Sequence, residues 1–184
     1  IDRSYRVGVE FEWMYRSSNR LFELNANVAL SRNKLLNFTE YVDDYDNGGQ
    51  VQYQYGETTI AFSPAVIAGG RFLIFPLRNQ EHLIHDLSID VLPKYVGKQY
   101  LDNTGQAGRS IGAYFVSDLL LSCPLTLNEH TTLKLRTGVY NMFNSLYESN
   151  GYTFSYIYGA QQTTQNYYYP QSGLRWMIGA GIEF

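Results

Sequence analysis

Three groups of residues in this 184-residue chain are of kinds that do chemistry: an acidic run, three histidines and a cluster of tyrosines. The acidic run is Glu40, Asp43, Asp44 and Asp46, followed by Asn47, Gly48 and Gly49. Carboxylates at that density suit a hard cation such as calcium. Counted from Asp44, a helix-loop-helix calcium site wants Asp or Asn at position 48 and Glu at position 55, and the chain has Gly48 and Tyr55. A solvated turn is therefore expected, with a looser calcium site left open. His82 and His85 are three apart; on a strand, odd spacing puts them on opposite faces, where they cannot share a metal. Cys123 is the only cysteine, which excludes an internal disulfide and a cysteine-built zinc site. No catalytic residue, resident metal or cofactor is expected.

The tyrosines are the better candidates. Tyr147, Tyr152, Tyr156, Tyr158, Tyr167, Tyr168 and Tyr169 lie in or beside one long connection at 145–172. Tyrosine offers rigid contact area with a hydrogen-bonding tip, which suits capture of a small molecule at a wet surface. The same rings would also serve simply to extend a wall and pack on neighbouring loops.

The elements that must position these groups are strands. Tyr5, Val7, Val9, Phe11, Trp13 and Tyr15 alternate with Arg6, Gly8, Glu10, Glu12, Met14 and Arg16, a period of two with one apolar face. The last segment repeats it, with Leu174, Trp176, Ile178, Ala180, Ile182 and Phe184 set against Gly173, Arg175, Met177, Gly179, Gly181 and Glu183. Similar alternation at 22–31, 83–98 and 132–139, and less cleanly at 60–75 and 109–125, makes seven strands. Each is long enough to cross a bilayer at a tilt, which takes about 9–11 residues. Short links at 17–20, 76–82 and 126–130 change places with longer ones at 33–58, 103–108 and 145–172. Short turns on one side and long loops on the other is the outer-membrane barrel pattern. All three histidines then fall at the short-turn end, away from where a surface enzyme would need them.

Composition agrees. Aromatic content is 16%, with 17 Tyr and 10 Phe, and charged residues are only 17%. A net charge of -3 provides no basic face for nucleic acid. No stretch reaches about 18 apolar residues, so no helix crosses a membrane, whereas a strand that hides its apolar face at alternate positions escapes that criterion. A soluble antiparallel barrel or sandwich alternates in the same way, and periodicity alone does not say which face is inside.

Some residues go beyond pattern. The stretch from Tyr95 through Val-Gly-Lys-Gln-Tyr-Leu-Asp-Asn to Thr104 resembles a signature of TonB-dependent receptors of Bacteroidetes-type bacteria. So do Asn141-Met-Phe-Asn144, the following Tyr147 to Tyr156, the loop from Asn37 to Asp46 and Ile60-Ala-Phe-Ser-Pro64. The closing Gly-Ala-Gly-Ile-Glu-Phe184 is similar to the terminal signal that outer-membrane barrels present to their assembly machinery.

The resemblance implies an all-β antiparallel transmembrane barrel in a Gram-negative outer membrane. Residues 1–184 would be the C-terminal portion of a 22-stranded wall, without the N-terminal plug domain. Such receptors take up scarce nutrients, commonly ferric siderophores, haem or cobalamin, and TonB acts through the plug. Partners implied are outer-membrane lipid, upstream strands, the plug and through it the TonB complex, the assembly machinery and a small-molecule ligand. Seven is an odd number and the chain starts at Ile1 without Met or a signal peptide, so further strands are expected upstream. Glu10, Glu12, Lys94, Lys98, Arg136 and Arg175 are expected to face the lumen and plug, and Trp176, Ile178, Ile182 and Phe184 to form the assembly signal. An outer-membrane barrel enzyme or adhesin is the alternative, followed by a soluble β-barrel binding domain. Phe184→Ala is expected to lower the amount of folded barrel in the outer membrane, measured as the heat-modifiable band on a gel.

Overall fold

The computed structural model of the chain describes residues 3–78, 84 and 86–184. Leu83, His82 and His85 lie outside them. Among the described residues there is no helix. The strands are β1 (Arg3–Arg16), β2 (Phe22–Asp44), β3 (Gln50–Thr59), β4 (Val66–Ile74), β5 (Ser88–Val96) and the short β6 (Gln99–Tyr100). They continue with β7 (Ser110–Ile111), β8 (Tyr114–Asn128), β9 (Thr131–Tyr140), β10 (Glu148–Tyr158), β11 (Gln161–Pro170) and β12 (Arg175–Glu183).

Seven of these make one curled antiparallel wall in the order β1-β2-β4-β5-β8-β9-β12. They are the seven segments expected from alternation. Cross-strand register decides whether seven apolar faces become one, because a slip of a single residue would send a strand's greasy side to the wrong face. Here the row runs Tyr15, Leu24, Phe72, Val91, Leu119, Val139, Trp176, each paired directly with the next. The opposite face carries Ser88, Ser122, Arg136 and Gly179 in another such row.

The polar face is the concave one. A hollow of about 560 Å³ is shared by Arg71 on β4, Asp90 on β5, Ser122 on β8, Arg136 on β9 and Met177 on β12. Strands are spaced about 4.8 Å apart, so five of them can border one hollow only on the inside of a curve. The apolar side is correspondingly open, with Phe11 62% and Ile178 71% exposed. Of the buried apolar residues among those described, Leu35, Val42, Leu101 and Ile111 belong to the layer of loops above the wall, and Leu73 and Val96 to wall strands β4 and β5.

That layer is more ordered than the sequence suggests. The connections expected at 33–58 and 145–172 are hairpins: β2 runs on to Asp44 and returns as β3, and β10 pairs with β11. Gly48 and Gly49, with φ of 75° and 81°, provide the reversal at the first tip. Three other expected strands are shorter than their alternation: β4 begins at Val66, past Phe62 (φ 50°) and Pro64, β5 begins at Ser88 and ends at Val96, short of Leu87 and Lys98, and β8 begins at Tyr114, which leaves Arg109 in a loop. Within β2 the buried positions change parity. Asn33 and Leu35 are buried below Asn37, and Val42 and Asp44 above it. Asn37 has φ 57°, a left-handed conformation that turns the alternation over so that both halves serve the same loop layer. Asn37→Val, which resists positive φ, is expected to cost about 1–2 kcal/mol, and Asn37→Gly close to nothing; chemical denaturation of the folded protein followed by tryptophan fluorescence checks both.

Candidate functional site

The loop layer closes around Arg109, which is 3% exposed. It enters from the loop between β6 and β7. Its Nη1 donates to Glu40 Oε1 on β2 and to Asp102 Oδ2 (2.8 Å) on its own loop. Its Nη2 donates to Ser155 Oγ on β10 (2.8 Å) and Thr164 Oγ1 on β11 (3.4 Å). One guanidinium fork thus joins four segments, a geometry that the planar five-donor head of arginine suits and lysine does not. Burial works against its charge, and the hydrogen bonds to Asp102 and Glu40 overcome that and hold the group above its ordinary value.

The segment flagged by resemblance is what holds this arginine. Asp102 Oδ1 accepts from the Thr104 amide (3.0 Å) and hydroxyl (2.6 Å), so both its oxygens are engaged. Asn103 Oδ1 accepts from Ala61 N, the Leu101 amide donates to Arg109 O, and Phe62 N donates to Tyr100 O. Glu40 also accepts from the Tyr55 hydroxyl (2.7 Å), to which Gln106 donates in turn. Burial, and then that bond to a carboxylate, push the Tyr55 phenol up to about 12. These contacts lock the loop.

The acidic run is engaged in the same way. Asp44 accepts from Asn47 Nδ2, Asn47 N and Asp46 N, bonds that hold its carboxyl below the ordinary range. Asp46 caps the distant β10–β11 tip, accepting from Gly159 N (2.9 Å) and Ala160 N (2.7 Å). Asp43 accepts from Gln50. A turn that also latches two hairpins is what these carboxylates build. At the other end of the long connection, Asn141 Nδ2 donates to Ser145 O and Ser172 O, and Asn144 Oδ1 accepts from Leu174 N, so the base of the loop is tied as well.

The tyrosines separate by face. Tyr152 and Tyr167 pair directly across β10–β11, with ring centroids 4.8 Å apart and planes 9° from parallel. Phe154 stacks on Tyr167 at 6.1 Å and on Tyr156 at 5.9 Å, and Tyr169 joins Tyr152 at 6.4 Å. Tyr158 lies at the tip on the same face and is 69% exposed. Tyr168 is on the opposite face, where its hydroxyl donates to Ser110 O, and Tyr147 stacks on Tyr114 at 4.4 Å. Five of the seven therefore share one aromatic face, while Tyr147 packs on Tyr114 and the exposed Tyr168 is tethered through its hydroxyl on the other side.

On the wall, Glu10, Glu12, Lys94 and Arg136 lie on the concave face by register. Arg175 lies there too, its guanidinium 5.2 Å from the Tyr140 ring centre. Lys98 sits past the end of β5, 5.1 Å from the Tyr100 ring centre. Arg71–Asp90 (2.6 Å), Arg16–Glu23 (2.8 Å) and Lys134–Glu183 (2.6 Å) are ion pairs between neighbouring strands. Trp176, Ile178, Ile182 and Phe184 all project from the apolar side and are exposed.

No family model and no curated protein matches the sequence. Among solved structures, the chain is similar to the ferric-catecholate import receptor Fiu of E. coli K12 in its closed form, with a TM-score of 0.48 and 15% identity. That match covers 95% of this chain and 27% of the receptor, so the chain spans about a quarter of its length.

Sequence reasoning missed Arg109. Its one signal was a charge placed in a run of small residues, Thr104-Gly-Gln-Ala-Gly-Arg-Ser, which reads as an ordinary loop. Arg109→Met would leave Glu40 and Asp102 without their cation. It is expected to cost about 3–5 kcal/mol and to make the loop layer, but not the wall, exchange amide hydrogens fast by mass spectrometry.

Proposed function

We propose that this chain is the C-terminal wall and outer loops of an outer-membrane barrel receptor that takes up a scarce nutrient with energy from TonB. One observation carries the proposal. Across seven strands the apolar side chains form a single convex face open to the surroundings, while the ionic groups line the concave side. In water such a face is an aggregation surface far larger than ordinary exposed patches. In lipid it is the stabilising contact, about 1.5–3 kcal/mol for each large side chain removed from water. A soluble barrel or sandwich places its apolar face inside, the reverse of this arrangement.

The remaining parts follow from the same reading together with the resemblance. The free edges of β1 and β12 are completed by further strands of a 22-stranded wall. Glu10, Glu12, Lys94, Arg136 and Arg175 face a plug domain through hydrated, exchangeable contacts, Lys98 meets it near the mouth, and the plug connects to TonB. Trp176, Ile178, Ile182 and Phe184 present the assembly signal. The tyrosine hairpin meets the nutrient, for which ferric siderophores, haem and cobalamin are the classes that the resemblance brings. The chain acts by binding and has no catalytic role.

Fractionation of the cell envelope tests the proposal. The protein is expected to stay with the outer membrane through high-salt and carbonate washes and to come off only in detergent. Recovery in the aqueous fraction would sink the membrane reading and everything that follows from it.

A further inference from the structure

The loop layer leaves one long strand edge without a partner among the described residues. Above the wall the strands run β11-β10-β2-β3, with β10 and β3 meeting β2 on opposite sides of Asp43. The two outer edges of this small sheet differ. β3 carries Glu57, Gln106 donates to its Tyr55 hydroxyl, and Gly105 lies against Thr58 and Thr59, so charge and the loop between β6 and β7 blunt that edge. β11 pairs with β10 and with no other described strand. Its register is unbroken from Tyr169 to Gln161, and its sequence Gln161-Gln-Thr-Thr-Gln-Asn-Tyr-Tyr-Tyr169 holds no charge and no proline. Such a strand is a template for pairing with another chain and has the composition of a cross-β segment. It is also held in place: Asn166 donates to Gly108 O, Tyr168 to Ser110 O, and Arg109 to Thr164.

We infer that in the assembled protein β11 is an interior strand, paired along its free edge by an extended segment of the same chain, the outer connection that leads into β1. The inference rests on the receptor reading, in which further strands continue the wall past β1. Topology picks this occupant. At Lys34, β2 has β1 on one edge and β3 on the other; at Asp43 it has β10 and β3. β10 therefore takes, higher up, the edge of β2 that β1 takes lower down. β11 stands outermost on that side, where the wall continues. β1 runs from Arg3, beside Leu36 at the foot of the loop layer, down to Arg16, beside Glu23 at the short turn into β2. In an up-and-down barrel the segment entering β1 thus arrives from the outer side, next to β11. A second copy of the chain fits less well. Two barrels in one membrane are related by an axis along its normal, and β10 runs parallel to the wall strand β2. Two β11 strands would then meet in parallel, the less stable pairing. The incoming segment is extended, about 8 residues long to match the edge, and free of interior proline.

The test places the photo-cross-linker benzoylphenylalanine at Gln162 or Gln165, on opposite faces of β11, in the full-length receptor in its native membrane. The expected product is an internal cross-link to a peptide of the connection entering β1, located by mass spectrometry of the digested single chain. A cross-link to a second copy or to another protein would overturn the inference, as would the lack of any at both positions. Hydrogen exchange on the unsubstituted receptor in detergent reads the same pairing without perturbing the strand. An edge strand leaves about half of its amides pointing outward; slow exchange throughout 161–169 is expected, and a fast-exchanging half refutes the pairing. Replacing the connection entering β1 by a glycine-serine linker of equal length should speed exchange in β11 more than about tenfold, with β8 and β9 unchanged. If β11 stays protected in that variant, the occupant is wrong. An outer-membrane protein with an open β11 edge defeats this pairing alone, whereas a water-soluble protein defeats the receptor reading as well.

Discussion

A buried guanidinium in a loop needs a reason, because the charge loses its water and must recover that loss from hydrogen bonds. Arg109 recovers it from two carboxylates and two hydroxyls on four different segments. Those partners lie 69, 7, 46 and 55 residues away in sequence. The tyrosine hairpin depends on this more than any other element. Its direct backbone pairing with β2 is limited to Tyr156 with Asp43 and Ile157 with Asp44. The Asp46 cap at the tip, Arg109 at mid-length and the bonds of Asn166 to Gly108 O and Tyr168 to Ser110 O do the rest, so one face of the hairpin is fixed and the other presents its rings.

The wall depends on a different constraint. Backbone groups in a bilayer must be satisfied by the chain itself, which a sheet does by pairing every strand with its neighbours. Register then has to keep all the apolar side chains on one side. The row from Tyr15 to Trp176 shows that it does so without a slip across the wall. Irregularities occur where the strands leave that zone. Asn37, Phe62 and Asn141 all have positive φ, and each marks a place where a wall strand gives way to the loop layer. Loops can tolerate such backbone because water and side chains are at hand to satisfy it.

Much of the fold was legible in the residues. The seven wall strands and their faces follow from period-two alternation, a local property that survives because each strand has one apolar convex side and one polar concave side. The two long hairpins above the wall were not legible. Asp43, Asp44, Gly48 and Gly49, or the run of Gln, Thr and Asn in β11, carry turn and loop composition, and their strand pairing comes from partners far along the chain. The candidate site divides similarly. The tyrosines stood out by type, whereas the gathering of five of them on one face of the hairpin, with Tyr168 on the other, depends on strand parity. The family-like stretch around Asp102 was noticed as a pattern, and its work in holding Arg109 emerged only with the contacts in place.

The sequence by itself determined that this is an all-β chain with seven two-faced strands, because side-chain direction in a strand alternates whatever the rest of the protein does. Which face is concave was decided by tertiary structure, since curvature is a property of the whole sheet and of no single strand. The same holds for Arg109. A charged residue among glycines is a solvated loop residue until distant segments converge on it, and only long-range folding brings Glu40, Ser155 and Thr164 within reach of its two Nη groups.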